Sequence, residues 1–176
     1  MSRSMSEALL PPLEISLNAL SGILDKAEAY AAAKKIDAAV LLNSRLFPDM
    51  FPLSRQIQIV ADQAKNGASR LAGVEPPRHE DTETTVAQLK ERLAKVQAHI
   101  KTLDPKQIDA AGDRDITFPL GPKNRGHMKG SDYLHLFVLP NIYFHITAAY
   151  AILRSCGVDV GKSDFLGQVP MNVTPV

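Results

Sequence analysis

Tyr133-Leu134-His135-Leu136-Phe137-Val138-Leu139-Pro140-Asn141-Ile142-Tyr143-Phe144-His145-Ile146-Thr147-Ala148-Ala149-Tyr150-Ala151-Ile152-Leu153 contains no Asp, Glu, Lys or Arg. Ser131-Asp132 precedes it as a cap and Gly157 follows as a C-terminal glycine, so the pattern predicts one helix from Tyr133 to about Cys156. Pro140 should kink that helix or remove one of its hydrogen bonds. Tyr133, Phe137, Pro140, Phe144, Thr147 and Ala151 make one face; Leu134, Val138, Ile142, Ala149 and Leu153 make an opposite, equally apolar one. A bundle helix needs a single apolar face. The second must be covered by a lid, a hairpin or another subunit, and a homodimer through this helix is the expectation, since symmetric dimers are the commonest oligomers. The run is long enough to span a bilayer. His135, Pro140, Asn141 and His145 interrupt it, no second such segment exists, and its basic flanks are only Lys129 and Arg154. Polar groups are costly in lipid, so a buried bundle helix is expected and a membrane span is not.

Three further segments carry helical periodicity. Leu10, Leu13, Leu17, Leu20, Leu24 and Ala27 alternate steps of three and four. Ser4 and Glu7 have capping-box spacing, but Pro11 and Pro12 should break a helix begun there, so helix one is expected from Pro12 to about Lys34. Leu53, Ile57, Val60, Ala64 and Leu71 mark helix two, between Pro52 and Gly73. Val86, Leu89, Leu93, Val96, Ile100 and Leu103 mark helix three, capped by the Thr82/Thr84/Thr85 cluster. Asp37 can cap a short helix through Leu46. The apolar Val40-Leu41-Leu42, Leu46-Phe47, Met50-Phe51 stretch should then pack as a lid. Ile116, Phe118 and Leu120 alternate with Thr117 and Pro119 before the turn-rich Gly121–Gly126, the pattern of a small hairpin or a long excursion. The tail beyond Gly157 should wrap the surface. These elements predict an all-α four-helix bundle with a short lid helix, a hairpin or long loop before helix four, and one domain over residues 1–176.

Twenty basic and 19 acidic residues are interspersed and leave a net charge of +1, so no footprint for nucleic acid or an anionic membrane is present. The single cysteine, Cys156, excludes an intramolecular disulfide and a Cys-based zinc cluster and suits a reducing, cytoplasmic setting. No signal-peptide apolar region is evident before Pro11-Pro12. Serine-triad, P-loop, Rossmann and zinc-protease motifs are absent. Cys156, at a helix C-terminus where the dipole disfavours a thiolate, is expected to be structural.

Asn141 and His145 stand four residues apart, one turn of the same helix face. His145 is the candidate for proton transfer or metal ligation, because imidazole titrates near neutrality and binds zinc or nickel. The alternative is a core histidine bonded to a neighbour, with Asn141 serving a helix–helix contact. His135 cannot share a metal with His145 from one helix, since ten residues rise about 15 Å. His99 flanks the stripe of helix three, while His79 and His127 read as surface residues. Gln56 borders the stripe of helix two and can face the same cavity; Asp62 falls on the opposite side and should be solvated.

Asp132-Tyr133-Leu134, Leu139-Pro140-Asn141-Ile142-Tyr143-Phe144-His145, Ala149–Arg154 with Gly157, Arg45–Leu53, Arg70-Leu71-Ala72-Gly73, Glu80-Asp81-Thr82-Glu83 and Asp164-Phe165-Leu166-Gly167 together resemble a bacterial and fungal family of uncharacterised proteins. That family lies within the DinB/YfiT-like superfamily of four-helix bundles. The resemblance implies the bundle fold. It also implies comparison with members that bind nickel or zinc through one histidine on helix two and an H-x-x-x-H pair on helix four, some of them thiol-dependent transferases or isomerases. His145 is similar to the second histidine of that pair; Asn141 occupies the first position and Gln56 the helix-two position. Amide oxygens are weak ligands for such metals, so no tightly bound metal is expected. The expected site is a small pocket of Gln56, Asn141, Tyr143 and His145 that binds a small molecule or a partner. The alternative is an enzyme acting on a small substrate, with zinc or nickel on a remodelled ligand set or with His145 as general acid/base.

Overall fold

The computed structural model describes residues 3–174. Four long helices, α1 (Met5–Lys34), α3 (Leu53–Ala72), α4 (Val86–Ile100) and α6 (Gly130–Ser155), form the bundle. Around the ring, α1 and α3 each touch both α4 and α6, while α4 and α6 lie diagonally opposite. The short helix α2 (Ala38–Leu42) precedes α3. Helix α5 (Pro105–Asp109) and an antiparallel hairpin, β1 (Asp115–Leu120) with β2 (Asn124–Lys129), join α4 to α6. Helix α7 (Lys162–Leu166) folds back onto α1. The predicted all-α bundle, with its hairpin before the last long helix, is the observed one. The stripes predicted on helices two and three are fully buried.

Helix α1 differs at its start. It begins at Met5 rather than Pro12 and runs through Pro11 and Pro12. The Ser4/Glu7 capping box forms, with Ser4 Oγ accepting from the Glu7 amide and Glu7 Oε2 from the Ser4 amide. Asp109 Oδ1 takes the Ser6 amide at 2.7 Å. Leu9 and Leu13, on either side of the prolines, are buried. Burial of each is worth about 1.5–3 kcal/mol, the same order as the roughly 3 kcal/mol penalty of an interior proline. Tertiary burial therefore carries the helix across a local breaker.

The segment predicted as a lid packs less than expected. Helix α2, capped by Asp37, stops at Leu42 instead of Leu46. Asn43 Nδ2 and Ser44 Oγ donate to the Ala39 and Val40 carbonyls, each at 2.8 Å, and compete with continuation of the helix. Leu41 and Leu42 enter the core, but Val40, Leu46, Phe47 and Phe51 are exposed.

Helix α6 answers Pro140 by changing its winding. Residues Tyr133–Val138 are π-helical, and the Leu139 amide bonds back to the Leu134 carbonyl. The wider turn makes room for a ring that would otherwise press on a carbonyl one turn earlier. Phe118 of the hairpin packs on Tyr133 and Phe137, with ring centroids 4.8 and 4.5 Å away. Leu134, Val138, Ile142, Ala149 and Leu153 are buried in the bundle. On the other side Leu136, Tyr143 and Phe144 stay exposed, so neither lid nor hairpin covers the second face completely.

At the π turn α3 approaches through Gly67, where a Cβ would stand 2.6 Å from Val138 Cγ1. Gly67→Ala should therefore cost about 1–3 kcal/mol by overpacking. Chemical denaturation of Gly67→Ala, Val138→Ala and the double variant checks this. The double variant is expected to be more stable than the sum of the single losses; strict additivity would contradict the contact.

Candidate functional site

Helices α3 and α6 meet again where the first turn of α3 passes the middle of α6. Gln56 is 1% exposed, and its Nε2 donates to the Phe51 carbonyl at 3.1 Å. That bond turns Gln56 Oε1 toward α6, where it lies 2.7 Å from His145 Nδ1. An amide oxygen only accepts, so the imidazole proton sits on Nδ1 and Nε2 keeps its lone pair. Nε2 has no protein partner among the described residues. The His145 pKa is lowered, first by burial and then by the nearby Arg55 charge. Phe144 meets the His145 ring edge-on at 5.1 Å, and the Arg55 guanidinium lies 5.9 Å from the Phe51 ring centroid. The result is a neutral imidazole whose Nε2 has no protein partner among the described residues, with the exposed Phe144 ring against it and the Arg55 charge nearby.

The four predicted site residues do not converge. Gln56 and His145 meet. Asn141 instead donates from Nδ2 to the Phe137 carbonyl at 2.7 Å, within its own helix. Phe137 is in the π-wound turn just before Pro140, so the amide serves the irregular backbone. Tyr143 projects to the outer face, where it lines shallow depressions with Pro140 and Phe144 on one side and Phe165 on the other. The best-formed cavities of the described residues do not include Gln56, Asn141 or His145 in their walls.

The donor set does not suit zinc or nickel. It offers one imidazole nitrogen and one amide oxygen already engaged by that imidazole. Among the described residues no three His, Cys, Asp or Glu side chains come together for a metal ion.

A second polar assembly was not predicted. Arg92 of α4 is 3% exposed, and its guanidinium meets Glu83 (2.9 Å), Asp62 (3.0 Å), Asp81 (2.9 Å) and the Glu80 carbonyl (3.0 Å). Asp62, expected to be solvated, also accepts from the buried Lys65 at 3.0 Å. Gln58 bonds Glu83, and Arg55 bonds Asp81. These contacts tie the connection between α3 and α4 onto both helices. Farther along the same seam Ser69 Oγ and His99 Nε2 are 2.7 Å apart. His79, expected at the surface, is half-buried with an unpaired Nδ1. The sequence carried one sign of this assembly: Arg92 falls beside Leu93 and three residues from Leu89, inside the apolar arc of α4. Arg70, from another of the quoted motifs, donates to the buried Tyr133 hydroxyl at 3.0 Å.

The fold is that of a DinB-like four-helix bundle. The chain belongs to the DUF1993 family, described as a domain of unknown function, which it matches over residues 5–166. It is similar to a solved structure described as a DinB family member protein from Shewanella denitrificans. The identity is 40%, the TM-score 0.88, and the match covers 96% of this chain and 95% of that one. Comparison with curated proteins finds no match.

Acid should destabilise the protein through its half-buried histidines. Burial, the largest cause, lowers the pKa of His79, His99 and His145, with Lys65 adding to it at His79 and His99. The unfolded chain then binds more protons below about pH 6.5, so stability is full above that value and falls as pH drops toward the folded pKa values. For Glu83, burial raises the pKa but the Arg92 hydrogen bond and its companions outweigh it, and the net shift is downward. Its contribution is present above the ordinary carboxylate range and is lost as pH falls through the folded value. Tm measured from pH 8 to pH 5 should decline below about pH 6.5, less steeply in a triple His79→Gln, His99→Gln, His145→Gln variant. A Tm that rises on acidification would contradict the assignment.

Proposed function

We propose that this DinB-like bundle uses His145 to bind a small molecule or a partner without a resident metal. The observation behind this reading is the 2.7 Å contact from His145 Nδ1 to Gln56 Oε1, which holds the ring and leaves Nε2 as an open acceptor. Gln56 thus acts as a positioning residue. Phe144 and Arg55 supply an apolar and a cationic edge for whatever donates to Nε2. Asn141 and Tyr143 have no part in that contact.

Diethyl pyrocarbonate, which acylates neutral, accessible imidazole nitrogen, tests the reading directly. At pH 7, mass spectrometry should find His145 modified faster than His99, whose Nε2 is engaged by Ser69. A resistant His145 would defeat the proposal. The same lowered pKa supports a second reading, in which Nε2 takes a proton from a small substrate as a general base. Metal analysis of untagged protein separates both from the metalloenzyme alternative: near-stoichiometric zinc or nickel that disappears in His145→Ala would establish the latter.

The uncovered face of α6 supports a homodimer. Leu136 is 67% and Phe144 60% exposed on a helix with no Asp, Glu, Lys or Arg between Tyr133 and Leu153. A charge-free face can meet its own copy about a two-fold axis without like charges opposing. Light scattering after size exclusion should give a dimer mass, reduced to a monomer in Phe144→Glu. A wild-type monomer at micromolar concentration would remove this proposal. A cytoplasmic setting is the location this reading assumes, in keeping with the lone half-buried Cys156.

A further inference from the structure

The hairpin presents a strand edge that no other part of the fold occupies. Its register places Pro119 opposite Arg125. Proline has no N–H, so that pair exchanges no hydrogen bonds, and the antiparallel alternation puts Thr117 with His127 and Asp115 with Lys129 in the same class. The Gly130 amide, which donates to the Arg114 carbonyl at 2.9 Å one step farther along, fits that phase. The N–H and C=O groups of Arg125, His127 and Lys129 therefore point away from β1. Among the described residues their amides have no partner, and no other helix or strand runs along β2. On β1 the corresponding row of donors is broken by Pro119. The hairpin is a fixed platform, because Phe118 packs on Tyr133 and Phe137.

The side chains beside this edge select its partner. Arg125, His127 and Lys129 are exposed on one face of β2, and Lys123 stands in the turn before it. Lys129 Nζ pairs with Asp115 Oδ1 at 2.8 Å, and Thr117 Oγ1 lies 3.0 Å from His127 Nδ1. Lys123 and Arg125 meet no carboxylate among the described residues. A second copy of β2, pairing antiparallel about His127, would set Arg125 against Lys129 twice, and like charges directly opposite disfavour it. An extended segment with Asp or Glu at alternate positions meets the same row with opposite charge. Its intervening side chains fall on the side of Met128, which packs on the apolar core, and apolar residues suit that side. We propose that β2 accepts an alternating acidic–apolar strand of a partner protein, which extends the two-stranded sheet to three.

The test is an amide NMR titration of the whole protein with the blocked peptide acetyl-Glu-Val-Glu-Val-Glu-Val-Glu-amide. Saturable shifts are expected along β2, with slowed amide exchange at Arg125, His127 and Lys129 but not at Gly126 or Met128, whose amides already face β1. The same peptide with lysine in place of glutamate should bind about tenfold more weakly or worse, and Arg125→Glu should weaken the acidic peptide about fivefold. A peptide N-methylated at each glutamate keeps the charges but cannot donate to β2, and it should lose binding. Absence of shifts, or equal binding by the lysine peptide, overturns the proposal. Equal binding by the methylated peptide also overturns it, because the face is then a general anion patch. Arg125 is exposed and stands opposite Pro119, so its replacement leaves the core intact, and the wild-type peptide series decides even if the variant fails to fold.

Discussion

The close seam between α3 and α6 is the constraint on which the rest of the structure depends. Gly67 admits the Val138 side chain where α6 is π-wound, which sets how near the two helices lie. Farther along α3 the same seam brings Gln56 against His145. A Cβ at Gly67 would have to be absorbed by a shift of one helix, and hydrogen bonds weaken steeply with distance and angle. Packing at one end of the seam and chemistry at the other are therefore coupled through two rigid elements.

The other seam of α3 is built differently. Against α4 it buries charge: Arg92 and Lys65 are almost inaccessible, and three carboxylates surround the guanidinium. Removing one member of such a buried cluster commonly costs about 3–5 kcal/mol, because the remaining charges lose their partner inside the protein. The Glu80-Asp81-Thr82-Glu83 motif thus reads as a clamp for the α3–α4 connection rather than as part of a reaction site. Arg70 likewise anchors the Tyr133 hydroxyl, and Asp164 pairs with Lys26 to dock α7 on α1.

The bundle was legible because its stripes are local: Leu53 to Leu71 and Val86 to Leu103 repeat at the helical period whatever they pack against. The start of α1 was not legible, since Leu9 and Leu13 hold it together through burial that no local rule reports. An irregularity at Pro140 was expected, but not its form, a π-wound turn over Tyr133–Val138. Its consequence reached the site, because Asn141 turns to the Phe137 carbonyl and leaves the pair with His145 that helical spacing suggested. Gln56 and His145 are 89 residues apart; the position of Gln56 at the border of its stripe allowed it to face the same cavity, and the fold brings the two into contact. Asp62, read on the side opposite the stripe, was expected in solvent because the spacing along its own helix does not show its partner. That partner, Arg92, belongs to another helix.

Across the α3–α6 seam an amide from α3 fixes the tautomer of one imidazole, and burial lowers that imidazole's pKa. The central claim is that Gln56 holds His145 with its proton on Nδ1 and its Nε2 free. Long-range ¹H–¹⁵N correlation NMR of the imidazole rings reads this state directly. At pH 7 the account predicts a neutral His145 with a protonated Nδ1 and an unprotonated Nε2, the preference weakening in Gln56→Ala. A proton on Nε2, or an imidazolium at that pH, would contradict it.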